Sequence, residues 1–137
     1  MYQVTKIIHF CYGHRLLNYQ GMCQHPHGHN GKVEILLEAE QLDERGMVVD
    51  FSDISRVIKK WIDDTLDHRM LLKREDSLIL FLKQHNEPFY MMNENPTAEN
   101  IAKLIYEYTR SQNFPVKQVT LWETENSFAT YFPIQIK

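Results

Sequence analysis

Two periods of apolar residues organise the chain. Residues 2–12 alternate loosely and carry β-branched and aromatic side chains, which predicts a first strand ending near Gly13-His14. Residues 29–41 alternate again, with Lys32 and Glu34 set against Val33, Ile35 and Leu37, as in a half-exposed antiparallel strand. Asn18, Gly21, Pro26 and Gly28 mark residues 15–28 as a loop, so the two strands read as a long hairpin. Asp43-Glu44-Arg45-Gly46 is a turn, and Met47–Phe51 is a short extended piece. The period then lengthens. Phe51, Ile54, Val57, Ile58, Trp61, Ile62 and Leu66 fall at spacings of three and four, the stripe of an amphipathic helix capped by Asp50 or Ser52. Residues 76–84 predict a short helix and Pro88–Asn93 a brief strand. Pro96-Thr97 opens a second long helix, with Thr97 as N-cap, Glu99 in the first turn, and Ile101, Leu104, Ile105 and Tyr108 as its stripe. That helix should end near Asn113-Phe114-Pro115. Val116–Glu123 and Phe128–Ile136 read as two final strands joined around Glu125-Asn126-Ser127. The order predicts an α+β fold: one antiparallel sheet with two long helices packed on one face.

Composition narrows the setting. With 137 residues, 43% of them hydrophobic and 24% charged, the chain is expected to form one domain spanning 1–137 with a substantial core. A net charge of -3 offers no global electrostatic basis for binding nucleic acid or an anionic membrane. A phosphorylated small substrate needs only a local basic patch. Two cysteines are too few for a disulfide framework and point to a reduced, cytoplasmic setting. The N-terminus has no signal-peptide pattern, and no apolar run approaches the ~20 residues that span a bilayer.

Candidate chemistry concentrates early in the chain. Five of the seven histidines fall between residues 9 and 29. His27 and His29 are two apart, so on a strand both imidazoles leave the same face, roughly 6–7 Å apart along the chain. His14, at the end of the first strand, can face them if the two strands pair. Three imidazoles with one position open are the usual ligand set of a catalytic zinc site. Cys23 can be a fourth ligand of a closed structural site, or a reactive thiol whose thiolate is favoured by a nearby dication. Cys11, within an apolar strand, is expected to pack in the core, and His9 and His25 receive no role. In Asp67-His68 a carboxylate can orient an imidazole for proton transfer, or the histidine can simply answer the last carbonyls of the preceding helix. Glu123 follows an apolar row, either as a strand edge reaching solvent or as a fixed carboxylate able to accept two parallel N–H bonds. Lys32, Lys73, Arg74 and Arg15 are candidates for anion contact, though scattered bases are usually solvated.

Taken together, several segments resemble the 6-pyruvoyltetrahydropterin synthase and 6-carboxytetrahydropterin synthase family over nearly the whole chain. They are Phe10-Cys11-Tyr12-Gly13-His14-Arg15-Leu16, Cys23-x-x-x-His27-Gly28-His29-Asn30, Gly46-Met47-Val48-Val49-Asp50-Phe51, Leu66-Asp67-His68, Pro96-Thr97-Ala98-Glu99-Asn100 and Glu123-Thr124. Singly each is weak; six in order are specific. The resemblance implies the T-fold, zinc on His14, His27 and His29, Cys23 as general base assisted by Asp67 and His68, and Glu123 anchoring a pterin ring. It also implies 7,8-dihydroneopterin triphosphate as substrate and a homo-oligomer, hexameric or trimer-based, whose sites lie between subunits. Three residues between Cys23 and His27 are similar to the 6-carboxytetrahydropterin synthases of queuosine (7-deazaguanine) synthesis. The 6-pyruvoyl synthases typically have a longer gap, and a third subgroup has glutamate in place of the cysteine. A zinc-stabilised binding module without catalysis is the remaining alternative. The chain departs from the family pattern at Cys11-Tyr12-Gly13, where small residues are usual, and at Gly31, where an aromatic is common. Both departures bear on pocket shape and substrate choice.

Overall fold

The computed structural model describes residues 1–135. Strands β1 (Tyr2–His14) and β2 (His27–Ala39) pair antiparallel from Tyr2 opposite Ala39 to His14 opposite His27. The remaining strands are β3 (Arg69–Lys73), β4 (Phe89–Met92), β5 (Val116–Thr124) and β6 (Ser127–Tyr131). They complete a six-stranded sheet in the order β4-β3-β1-β2-β5-β6. Alternation decides its faces. Ile8, Phe10 and Tyr12 of β1, Val33, Ile35 and Leu37 of β2, and Val119 and Leu121 of β5 are all buried in one core.

Two helical layers close that core. One is continuous over residues 51–65: α1 (Phe51–Ile54), a π-helical turn (Ser55–Lys59) and α2 (Lys60–Thr65). Ile54, Ile58, Ile62 and Leu66 are four apart and fully buried. A four-residue step overshoots an α-helical turn by roughly 40°, so three steps would carry Leu66 off the core side; the wider π turn absorbs the excess. The other layer is α4 (Ala98–Ser111), which buries Ile101, Ala102 and Ile105. Trp61 stacks on Tyr108 with ring centroids 4.0 Å apart and joins the layers. The short helix α3 (Leu78–Gln84) belongs to a smaller cluster in which Ile79 and Leu82 pack on Leu72.

The expected sheet backed by two long helical segments is present, with local departures. Antiparallel pairing holds for β1, β2, β5 and β6, but β3 runs parallel to β1 and β4 parallel to β3, so the sheet is mixed. β3 was not expected at all. Leu71 faces the main core and Leu72 the smaller cluster, and a strand buried on both faces has no alternation to read. Met47–Phe51 forms no strand; Phe51 begins the helix, and the Asp50 carboxylate caps it by accepting from the Ser52 N–H at 2.8 Å. β2 begins at His27, directly after Pro26, two residues earlier than expected. β6 stops at Tyr131; residues 132–135 are irregular around Pro133, which has no N–H for the ladder, and Ile136 lies outside the described residues. Among the described residues no helix is long and apolar enough to cross a membrane.

Candidate active site

The β1–β2 register builds the site. His14 lies opposite His27 and Tyr12 opposite His29, and cross-strand partners share a face. Three imidazoles therefore converge on the side of the sheet that carries the main core. Nε2 of His14 is 3.0 Å from Nε2 of His27 and 3.1 Å from Nε2 of His29. Nδ1 of His14 donates to the Pro96 carbonyl at 2.7 Å, just ahead of the Thr97 cap of α4, and Nδ1 of His27 donates to the His25 carbonyl at 2.7 Å. Each backbone carbonyl selects the tautomer that leaves Nε2 bare and pointing inward. Burial, reinforced by His27 and His29 and opposed by the Pro96 bond, lowers the pKa of His14 to about 4, so its imidazole is neutral at pH 7. One ligand atom from each histidine lies within 4.8 Å of the others. Nitrogens this close share either a proton or a cation between them. Nitrogens bound to tetrahedral zinc at ~2.0–2.1 Å stand about 3.3 Å apart, so the set fits that ion.

Glu123, near the end of β5, stands against the triad. Its carboxylate oxygens are 4.0 Å from Nε2 of His14 and 3.9 Å from Nε2 of His29. This is a carboxylate aimed into the site, not a strand edge turned to solvent. The segment following His14 is fastened from two sides. Arg15 forms a bidentate pair with buried Asp76, and the Asn95 side chain both accepts from the Leu17 N–H and donates to the Leu17 carbonyl, each at 2.9 Å. Burial alone would raise the pKa of Asp76, but the Arg15 guanidinium and the Leu78 N–H hold it below the usual carboxylate range. Arg15 is thereby committed to structure. Lys32 sits 3.5 Å from Glu34, and Arg74 bonds the Asn93 side chain at 3.2 and 3.3 Å.

The other expected site residues lie elsewhere. Cys23 is half-buried on a 3₁₀ turn (Met22–Gln24), where its carbonyl accepts from the Leu16 N–H at 2.9 Å. It stands outside the metal-competent group. Asp67 and His68 follow α2 and flank Cys11: Asp67 accepts from the Cys11 N–H at 2.8 Å, and the His68 N–H donates to the Cys11 carbonyl at 2.7 Å. Asp67 also accepts from Nδ1 of His68 at 2.7 Å. Burial opposes ionisation of Asp67, yet these two donors outweigh it and keep its pKa low. His68 has φ +59°, a left-handed conformation that costs a non-glycine residue roughly 1 kcal/mol or more. Its side chain is 77% exposed and lines an open cleft of about 650 Å³ together with Cys11, Asn30 and, from the triad's strands, Tyr12, His27 and His29. Cys11 and Asn30 alternate with Tyr12 and His29 along their strands, so the Cys11 and Asn30 side chains leave the face opposite the triad, at the edge of which His68 stands. The structure therefore brings His14, His27, His29 and Glu123 together and leaves Asp67-His68 apart from them within one chain. Cys11 is not a core residue as expected; it is half-buried, and its thiol donates to the Asn30 side chain at 2.9 Å. Sequence reasoning missed Pro96, Asp76 and Asn95. A backbone carbonyl has no residue-type signature, and the other two act on segments about 60 and 80 residues away.

A curled mixed sheet, backed by helices and bearing three convergent histidines beside a glutamate, defines a T-fold protein with a metal-competent pocket. A family profile described as 6-pyruvoyl tetrahydropterin synthase matches residues 3–133, and the chain belongs to that family. It is 38% identical over 135 residues to the 6-carboxy-5,6,7,8-tetrahydropterin synthase of Rickettsia felis, covering 93% of this chain and 98% of the relative. It is 30% identical over 139 residues to the protein of the same name from Haemophilus influenzae, covering 96% and 99%. Among solved structures, an uncharacterized protein of Wolinella succinogenes superposes with TM-score 0.76 at 28% identity, covering 96% of this chain and 97% of that one. The 6-pyruvoyl tetrahydropterin synthase of Caenorhabditis elegans superposes with TM-score 0.72 at 24% identity, covering 97% and 96%, a likeness of fold.

Proposed function

We propose that the protein is a zinc-dependent 6-carboxytetrahydropterin synthase of the cytoplasm. It converts 7,8-dihydroneopterin triphosphate and one water to 6-carboxy-5,6,7,8-tetrahydropterin, acetaldehyde and triphosphate, and its product feeds queuosine (7-deazaguanine) synthesis. The observation that carries this reading is the convergence of the three histidine Nε2 atoms beside the Glu123 carboxylate. The relatives named for this activity and the three-residue gap between Cys23 and His27 support it further. His14, His27 and His29 hold the metal, which when bound supplies Lewis-acid polarisation of side-chain oxygens. Glu123 accepts from the 2-amino group and ring N–H of the pterin. The Cys23 thiolate takes a proton from the substrate side chain, and His68, held by Asp67, exchanges protons as its partner in the carbon–carbon cleavage.

Because Asp67-His68 faces away from its own triad, it serves the site of a neighbouring subunit in a homo-oligomer. Exposed Ile7, Phe128 and Phe132 offer apolar surface for such an assembly. The runner-up is the 6-pyruvoyl synthase, which eliminates triphosphate and keeps the side-chain carbons. A product assay on 7,8-dihydroneopterin triphosphate separates the two: acetaldehyde equimolar with triphosphate supports the carboxy assignment, and triphosphate released without acetaldehyde overturns it.

A further inference from the structure

The floor of the site contains a polar group that the mechanism above does not use. Tyr12 is 3% exposed, and its hydroxyl has no hydrogen-bond partner among the described residues. Leaving a buried hydroxyl unpaired is costly, and buried polar groups of this kind are normally satisfied. Its ring stands edge-on to His14, with centroids 5.3 Å apart, and 5.6 Å from His29, so it lies on the triad's face of the sheet. Its position is built in. Phe10 stacks behind it at 5.1 Å, and a Cβ at Gly31 would come within 3.0 Å of the Tyr12 ring. The two positions where the chain departs from the family pattern thus meet in space: glycine at 31 makes room for tyrosine at 12. The Glu123 carboxylate stands against the same two imidazoles, so the phenol and the carboxylate border the same triad.

We propose that Tyr12 is a positioning residue whose hydroxyl donates through one bridging water to the Glu123 carboxylate and holds it for pterin recognition. Glu123 needs such a restraint. Its oxygens stand about 4 Å from two imidazole nitrogens, and a dication held there attracts a free carboxylate. A donor from the pocket floor keeps one oxygen engaged and the other facing the ring N–H groups. This inference rests on the reading of Glu123 as the pterin anchor.

The test is equilibrium binding of 7,8-dihydroneopterin, which has no triphosphate and is not the proposed substrate, to zinc-loaded wild type, Tyr12→Phe, Glu123→Gln and the double variant. Tyr12→Phe should weaken binding roughly tenfold, the loss of one hydrogen bond to a charged acceptor. Its zinc content should stay at the wild-type value, because the phenol is not a metal ligand. In the Glu123→Gln background the same change should add little, since its target is altered. In turnover the loss should fall on KM rather than kcat. Unchanged binding in Tyr12→Phe, or equal losses in both backgrounds, overturns the assignment. Wild-type protein that fails to bind dihydroneopterin refutes the pterin reading itself, a result distinct from either.

Discussion

His14 does three jobs at once. It ends β1, faces both other histidines, and ties the sheet to α4 through the Pro96 carbonyl. Its pKa of about 4 makes it a stability element in metal-free protein. An unfolded histidine titrates near 6.5, so its neutral form stabilises the fold fully above that pH. As pH falls from about 6.5 to 4, the unfolded chain takes up a proton that folded His14 refuses, and on the order of 3 kcal/mol of stability is lost. Urea unfolding of zinc-free protein should show this slope in wild type and not in His14→Gln; parallel profiles would refute the assignment. At this scale the sequence was informative about identity and silent about direction. The spacing of His14, His27 and His29 marked them as a set before any geometry was known. The separation of Asp67-His68 from that set was hidden, because adjacency along the chain does not say which face of the sheet a residue meets. Tyr12 and Gly31 were visible as departures, but that one fills the space over the other emerged only when Phe10 and Gly31 were found opposite each other.

At the scale of elements, the start of α4 and the end of β1 form one unit. Thr97 accepts from the Asn100 N–H at 3.2 Å, the Asn100 side chain donates to the Asn95 carbonyl at 2.9 Å, and Asn95 clamps Leu17. Thr97→Ala should cost about 1 kcal/mol of stability in urea unfolding, with Thr97→Ser retaining most of it. It should also speed zinc loss to a chelator, because the carbonyl that orients His14 belongs to the preceding residue. Identical stability in the two variants would remove the cap from this account. Elements with one buried face were legible: β1, β2, α4 and the helix over 51–65 all carry a clear period. β3 was not, since its Leu71 and Leu72 are buried on opposite sides and the strand follows a helix after only three residues, Leu66, Asp67 and His68. The π turn was equally hidden, although the four-residue isoleucine spacing that requires it was in plain view.

For the whole molecule, the proposed division of one active site between two subunits has a quantitative consequence. Cys23→Ala and His68→Ala should each be inactive alone. Co-assembled in equal amounts, they should recover about a quarter of wild-type activity, because one interface site in four then pairs an intact Cys23 with an intact His68. No recovery in mixed oligomers would mean that both residues act within one chain.

The central proposal is that the β1–β2 register creates an open three-histidine zinc site that the Cys23 thiol serves without ligating the metal. Its most direct test is alkylation of the Cys23 thiol in zinc-loaded Cys11→Ser protein, with zinc content followed throughout. The account predicts one zinc per chain, rapid modification of Cys23 and full retention of the metal. A Cys23 protected until zinc is stripped, or zinc released as the thiol reacts, would make the cysteine a ligand and contradict it.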